Sequence, residues 1–270
     1  MAELQFREAA AAGYDRAVGH MTRRLVPPLL RAARLAPGLR VLDIATGTGL
    51  AAEAAAEAVG PSGHVIATDI SPAMVERARE RLGGLPNVSF AVEDGQRLTL
   101  PDGGFDAVLC NMGLMYFPDP TRGLSEFRRV LRPGGRAVVS VNTTPERSLI
   151  SRVLVIIGRH APSKAPEAAR LFSLGDEAHL RALFEAAGFE DAETATETLR
   201  IEFSSFDAYF GGVEQGAGNV GQEYAALPEE VRRAVREEAR RDVGDAGGPV
   251  EVVVEVRIAS GGRQRVPPDA

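Results

Sequence analysis

Between Arg40 and Val141 short apolar runs alternate with amphipathic stretches of helical period. Compact apolar runs bounded by turn residues read as strands buried on both faces. Apolar positions recurring at i, i+3 and i+4 read as helices. The pattern predicts strands over Arg40–Ile44, His64–Asp69, Val88–Val92, Phe105–Asn111 and Arg136–Val141. It predicts helices over Ala51–Val59, from Pro72 to about Leu82 behind a Ser71 cap, and from about Thr121 to Leu131. "GPSG" (Gly60–Gly63) and "RPGG" (Arg132–Gly135) punctuate them as turns. Upstream, Ala, Leu and Arg at helical spacing from Gln5 to about Leu35 predict two helices meeting near Gly19.

The pattern changes after Asn142. Helices are expected over Pro145–Arg159, Asp176–Ala187, Ser204–Gly211 and Pro228–Asp242, and strands over Glu193–Phe203 and Val250–Ile258. "GGVEQGAGNVGQ" reads as a flexible loop, and the Gly/Pro/Arg-rich stretch from Ser260 to Ala270 as a frayed tail. Strands alternating with helices define an α/β fold with a parallel, doubly wound sheet. The expected division is a helical cover (1–38), a nucleotide-binding core (39–143), a cap carrying the last two strands (144–259) and a tail (260–270).

Composition narrows the chemistry. The chain has 270 residues, 44% of them hydrophobic and 25% charged, with a net charge of −6. That balance is ordinary for a globular protein and argues against general nucleic-acid binding. No apolar run reaches membrane-spanning length, and "MAELQFREAA" has no signal-peptide core, so a cytoplasmic protein is expected. Cys110 is the only cysteine, which rules out an intrachain disulfide or a multi-cysteine metal site; no metal is expected. Lys164 is the only lysine, which leaves Schiff-base chemistry and a P-loop almost nothing to work with.

The first strand empties into "DIATGTGLA", where Gly47, Gly49 and Ala52 fit G-x-G-x-x-[GA]. Asp69 ends the second strand at about the 20-residue distance expected of a ribose-binding acid. Taken alone, this pattern fits any adenosine-containing ligand. Three further features narrow it. Asp43 precedes the loop, where a carboxylate suits a cationic ligand and not a pyrophosphate. Glu93 and Asp94 end the third strand, where an acid can accept from an adenine amino group. The fourth strand runs into "CNMGLMYFPDP", an apolar, methionine-rich mouth.

"VLDIATGTG", "VIATDIS", "VEDGQRLTLP", "FDAVLCNMGLMYFPDP" and "EFRRVLRPGGRAVVS" resemble the successive motifs of class I S-adenosylmethionine-dependent methyltransferases, in the branch of the ubiquinone/menaquinone-biosynthesis enzymes. The likeness runs from about Tyr14 to Asn142. It implies a Rossmann-like sheet of seven strands with the last antiparallel. It also implies S-adenosylmethionine as cofactor and S-adenosylhomocysteine as product. By the same resemblance Asp43, Ala45, Gly47 and Gly49 would line the methionine part, and Asp69 would hold the ribose hydroxyls. Ile70 would pack on the adenine, and Asp94, flanked by Glu93 and Gly95, would read its amino group. Asn111 would offer its backbone carbonyl. Ala45 stands where the family's loop has its first glycine. Tyr14 would close over the methionine end and meet the acceptor, with helix packing as the alternative.

Methyl transfer needs alignment of nucleophile, methyl and sulfur, exclusion of water, and sometimes a base. His20, at the helix junction, and His160, at the end of the first helix after the fifth strand, are the candidate bases; capping or packing is the alternative for each. Met112, Met115 and Tyr116 are expected to shape an apolar acceptor pocket, with Phe172, Phe206, Tyr209 and Phe210 as added aromatic walls or ordinary core. The expected partner is a small apolar or aromatic acceptor, methylated at oxygen ahead of carbon or nitrogen; a homodimer is compatible. Two other readings stay open: a cofactor-binding enzyme that catalyses cyclisation, decarboxylation or a pericyclic step, and a nicotinamide-dependent oxidoreductase. The latter lacks a Tyr-x-x-x-Lys pair at Lys164.

Overall fold

The computed structural model describes residues 23–264. A seven-stranded sheet organises them: β1 (Arg40–Ile44), β2 (His64–Asp69), β3 (Val88–Val92), β4 (Phe105–Asn111), β5 (Leu131–Asn142), β6 (Glu190–Phe203) and β7 (Val250–Gly262). Their spatial order is β3-β2-β1-β4-β5-β7-β6. The pairs β1–β2, β1–β4, β2–β3 and β4–β5 are parallel, while β7 runs antiparallel to both β5 and β6. Strand order reverses between β1 and β4. In an open α/β sheet the crevice beyond the carboxyl ends of such strands is where ligands bind.

The helices are α1 (Val26–Ala33), α2 (Leu50–Val59), α3 (Pro72–Leu82), α4 (Pro120–Val130), α5 (Arg152–His160), α6 (Ala165–Arg170), α7 (Glu177–Ala186), α8 (Phe206–Glu214), α9 (Gly218–Ala225) and α10 (Glu229–Asp242). Their starts follow local chemistry. Ser71, Asp119, Asp176 and Ser205 each accept a backbone N–H in the first turn of α3, α4, α7 and α8. Pro72 and Pro120 sit where a missing N–H costs nothing. The two faces of the sheet bury separate apolar clusters. One gathers around Leu29, Val41, Ala55 and Val65, the other around Phe105, Phe127, Val139 and Phe184. Among the described residues no helix is long and apolar enough to cross a membrane.

Several expectations from the sequence need correction. Of the two expected N-terminal helices, residues 1–22 lie outside the described residues, and α1 is the described part of the second. "RPGG" is not a free turn before β5. Leu131 already pairs with Phe105, and the register then jumps to Ala107↔Arg136, so the four residues form a bulge within the strand. The expected helix from Pro145 starts only at Arg152, after a single tight turn over Pro145–Arg147. There Ser148 Oγ donates to the Pro145 carbonyl at 2.8 Å and competes with the helical ladder. Helix α6 was not foreseen. "GGVEQGAGNVGQ" holds the end of α8 and most of α9. Its glycines serve contact, since a Cβ on Gly221 would lie 2.4 Å from the Gly216 backbone. Strand β7 runs into the expected tail as far as Gly262, and Arg263 donates to the carbonyls of Arg129 (2.8 Å) and Arg128 (3.3 Å). Those bonds occupy orphan carbonyls at the end of α4.

Candidate cofactor and acceptor site

The β1–β4 reversal opens into a cavity of ≈ 900 Å³. One end is built by the loops after β1, β2, β3 and β4. The other is built by the Leu149–Ser151 segment, the end of α6, the start of α9 and two residues of β7.

At the first end, β1 is apolar and buried except for its edge residue and Asp43, which is fully buried. Asp43 Oδ2 accepts from Thr46 Oγ1 at 2.6 Å, but its buried Oδ1 has no partner among the described residues. Burial, helped by the nearby Asp69 carboxylate and opposed by the Thr46 hydroxyl, pushes its pKa up to about 7. Asp69 is also nearly buried, and burial raises its pKa. It ties the loop down: Oδ2 accepts from the Gly47 N–H and Oδ1 from the Ser71 N–H, each at 2.9 Å. Two carboxylates held this close create a negative field that a cation would satisfy.

The backbone between them is strained in one direction. Ala45 (φ 54°) and Gly47 (φ 56°) are both left-handed, as is Met112 (φ 55°) at the end of β4. Such conformations in residues with a Cβ collect at functional sites. Ala45 is accommodated by Gly113: a Cβ there would come within 2.6 Å of the Ala45 methyl and 2.9 Å of Cys110 Sγ. Gly47 has nothing within 4 Å of where a Cβ would stand, which leaves a cradle open to the cavity.

Most of the expected cofactor residues line this end: Ala45, Gly47, Asp69, Ile70, Glu93, Asp94, Gly95 and Asn111. Ile70 is 59% exposed, an apolar surface on the cavity wall. The acid pair splits in two. Glu93 is occupied by Thr99, whose N–H and hydroxyl lie at 2.9 and 2.5 Å, while Asp94 accepts from the Gln96 N–H at 2.9 Å through one oxygen only. Asn111 Oδ1 accepts from the Ser140 hydroxyl at 2.7 Å. Asp43, expected to line the site, is fully buried beneath the loop and is not on the cavity wall. Gly49 lies behind it as the N-cap of α2, packed on Ala78 and Leu82 of α3, and is not on the cavity wall.

The acceptor expectations divide similarly. Met112, Met115 and Tyr116 line the cavity. Phe172, Phe206, Tyr209 and Phe210 do not. Phe206 stacks on Phe210 with centroids 5.2 Å apart, Phe210 meets Tyr224, and Tyr209 is buried with its hydroxyl donating to the Leu149 carbonyl at 2.8 Å. These aromatics are the core of the cap and hold the wall from behind. His160 is also outside the cavity. Its Nε2 lies 2.6 Å from Glu238 Oε2, beside the Arg159–Glu238 ion pair that joins α5 to α10. Tyr14 and His20 lie outside the described residues.

The sequence reading missed Phe117, Ser151, Arg170 and the Ala217–Val220 turn, all on the wall. Phe117 sits in the motif "NMGLMYFPDP" and was open to discovery there. The others come from segments whose sequence carries no motif.

A doubly wound sheet, a left-handed loop over a buried acid with one oxygen unpartnered among the described residues, and acids closing β2 and β3 match what the resemblance to class I S-adenosylmethionine-dependent methyltransferases implies. Residues 41–135 match a methyltransferase domain family. The chain is 34% identical over 204 residues to demethylmenaquinone methyltransferase of Clavibacter sepedonicus, covering 73% of this chain and 81% of that one. It is 32% identical over 188 residues to ubiquinone/menaquinone biosynthesis C-methyltransferase of Geobacter sulfurreducens, covering 64% and 73%. The chain therefore belongs to the family of these methyltransferases. Phosphoethanolamine N-methyltransferase 2 of Haemonchus contortus, solved with S-adenosyl-L-methionine, shares the fold at TM-score 0.64 and 17% identity, over 97% of this chain and 59% of that one. So does the 4+2 cyclase SpnF, at TM-score 0.57 and 20% identity over 90% and 82%.

Proposed function

We propose that this protein transfers the methyl group of S-adenosylmethionine to a small, largely apolar aromatic metabolite by in-line displacement. The observation that carries the reading is one cavity with two kinds of wall. Its acidic end fits the cofactor: Asp43, buried beneath the loop with Oδ1 unpartnered among the described residues, sets a negative charge under an ammonium group, the open cradle at Gly47 admits close backbone approach, and exposed Ile70 offers a face for adenine. In this reading Asp69 and the free oxygen of Asp94 receive the ribose hydroxyls and the adenine amino group. The bound cofactor supplies a methyl carbon made electrophilic by its sulfonium. The chain's own contribution is alignment and exclusion of water, with Met112, Met115 and Tyr116 beside the reacting centre. No histidine lines the cavity among the described residues, so positioning carries the rate in this reading, with His20 still open as a base.

Oxygen is the proposed nucleophile. Methylation at carbon is a second reading, favoured by the names of relatives at 32–47% identity that methylate a quinone-type ring at carbon. The test is to incubate purified protein with S-adenosylmethionine and a panel of naphthols, catechols and quinols. One added CH₂ in the acceptor's mass supports transfer, and fragmentation separates a methyl ether from a ring methyl. A product of unchanged mass would favour a rearranging enzyme. Binding of a nicotinamide dinucleotide without S-adenosylmethionine would overturn the reading.

A further inference from the structure

The charge of the cavity wall changes sign along its length. All of its carboxylates among the described residues, Asp69, Glu93 and Asp94, stand at the cofactor end. Its one basic side chain among the described residues is Arg170, at the last position of α6 in the cap. The walls around the acceptor end are otherwise uncharged: apolar Leu149, Ile150, Val220 and Val254, with Asn142, Ser151 and Asn219 as neutral polar residues among them.

Arg170 has no hydrogen bond or ion pair to its guanidinium from the described residues, and its Nε is buried without a partner. The arrangement around it keeps it so. Glu167, one turn earlier on α6, is held by the Asn219 amide at 3.1 Å. Glu223 on α9 is held by Lys164 at 2.5 Å. The acid nearest Arg170 along α6 is thus engaged elsewhere. Arg170 thus reaches the largely uncharged acceptor end of the cavity with no acid paired to it among the described residues. A partly desolvated cation without a partner is costly, and a planar guanidinium has the donor geometry to take an oxyanion in two places.

We infer that Arg170 is the acceptor-recognition residue, and that the acceptor carries an anionic oxygen group, a carboxylate or a phenolate, on an apolar ring system. This rests on the methyltransferase reading and names the substrate class for it. The cation of the cofactor and the anion of the acceptor are then received at opposite ends of one cavity, which orients the acceptor before any contact at the methyl group is made.

The test is a binding measurement with S-adenosylhomocysteine present at saturation. Calorimetry compares 2-naphthoate with 2-naphthamide, and an ionised nitronaphthol with its methyl ether. In the unaltered protein at least one anion binds about tenfold or more tightly than its neutral twin, and the pair that discriminates identifies the anion as carboxylate or phenolate. Arg170→Gln abolishes that difference and leaves S-adenosylhomocysteine affinity unchanged. Arg170→Lys keeps part of it, since the charge remains and the fork is lost. Equal binding within both pairs, or a preference that survives in Arg170→Gln, overturns the assignment. Failure of the unaltered protein to bind S-adenosylhomocysteine strikes the methyltransferase reading beneath it instead.

Discussion

The two ends of the cavity solve the problem of buried polarity in opposite ways. At the cofactor end every acid but one oxygen of Asp43 and one of Asp94 is tied to loop backbone or a threonine, so the site exists before a ligand arrives. At the acceptor end charge is sparse, and the wall is set by aromatic packing behind it and one arginine with no acid paired to it among the described residues. The first is built from backbone geometry that few sequences can supply. The second is built from side chains that can be exchanged without disturbing the sheet. A family can therefore keep one cofactor and vary its acceptors by changing one end only.

The sharpest way to break this contrast is Asp43→Asn. If the cofactor end is a preset anion cage, the variant weakens S-adenosylmethionine binding by roughly a hundredfold, as expected for one charge-assisted contact. Calorimetry reads it, and an unchanged affinity would remove Asp43 from the site. The proton adds a second reading. Asp43 is raised in the folded protein from 3.8 to about 7, so without ligand its contribution to stability is full below pH 3.8 and is lost as pH rises through about 7. A cationic ligand prefers the ionised form, so cofactor affinity rises with pH up to about 7 and levels off above it. Melting temperature and binding against pH show both trends in the native protein and neither in the asparagine variant.

Asp69→Ala comes next, with cofactor affinity down roughly ten- to a hundredfold. It also frees the Gly47 and Ser71 N–H groups, so its melting temperature falls, whereas that of Asp43→Asn does not fall at pH 8. Gly113→Ala probes the backbone itself. Its methyl would crowd Ala45 and Cys110, at a cost of about 1–3 kcal/mol by denaturant titration. Adding Ala45→Gly recovers part of that loss, and complete additivity would show that the two sites do not touch. The smallest effect belongs to His160→Ala. It loses a half-exposed contact to Glu238, which changes stability within about 0.5 kcal/mol and leaves turnover as it was. A large loss of turnover with intact cofactor binding would bring His160 back as a base.

The same contrast decides what the sequence could reveal. Strands β1, β2 and β4 and helix α3 lie where the apolar periodicity, Ser71 and Pro72 put them, because a parallel strand inside the sheet leaves a largely apolar run. Asp43, Asp69 and Asp94 were legible because each stands at a strand end fixed by that pattern. The cap was not legible. Glycine-rich composition disguised α9, whose glycines answer to helix contact and not to turns. Phe206, Tyr209 and Phe210 were read as pocket walls because sequence shows aromaticity and not direction. His160 was chosen by position, and only three dimensions reveal Glu238 opposite it. Arg170 carried no signal in a chain with so many arginines; what distinguishes it is its place on the cavity wall without an acid paired to it among the described residues.

Strand β7 has a consequence for the order in which the molecule can be assembled. It lies between β5 and β6, pairing Ala137 with Gly261 and Thr196 with Arg257, and it brings Val254 and Val256 to the cavity wall. During synthesis every described residue proposed to hold the cofactor leaves the ribosome more than a hundred residues before this strand does. Until then β6 has no partner in the sheet and the acceptor end has no floor. The nascent chain is thus in a position to load its nucleotide early, while the compartment that chooses the substrate is sealed last.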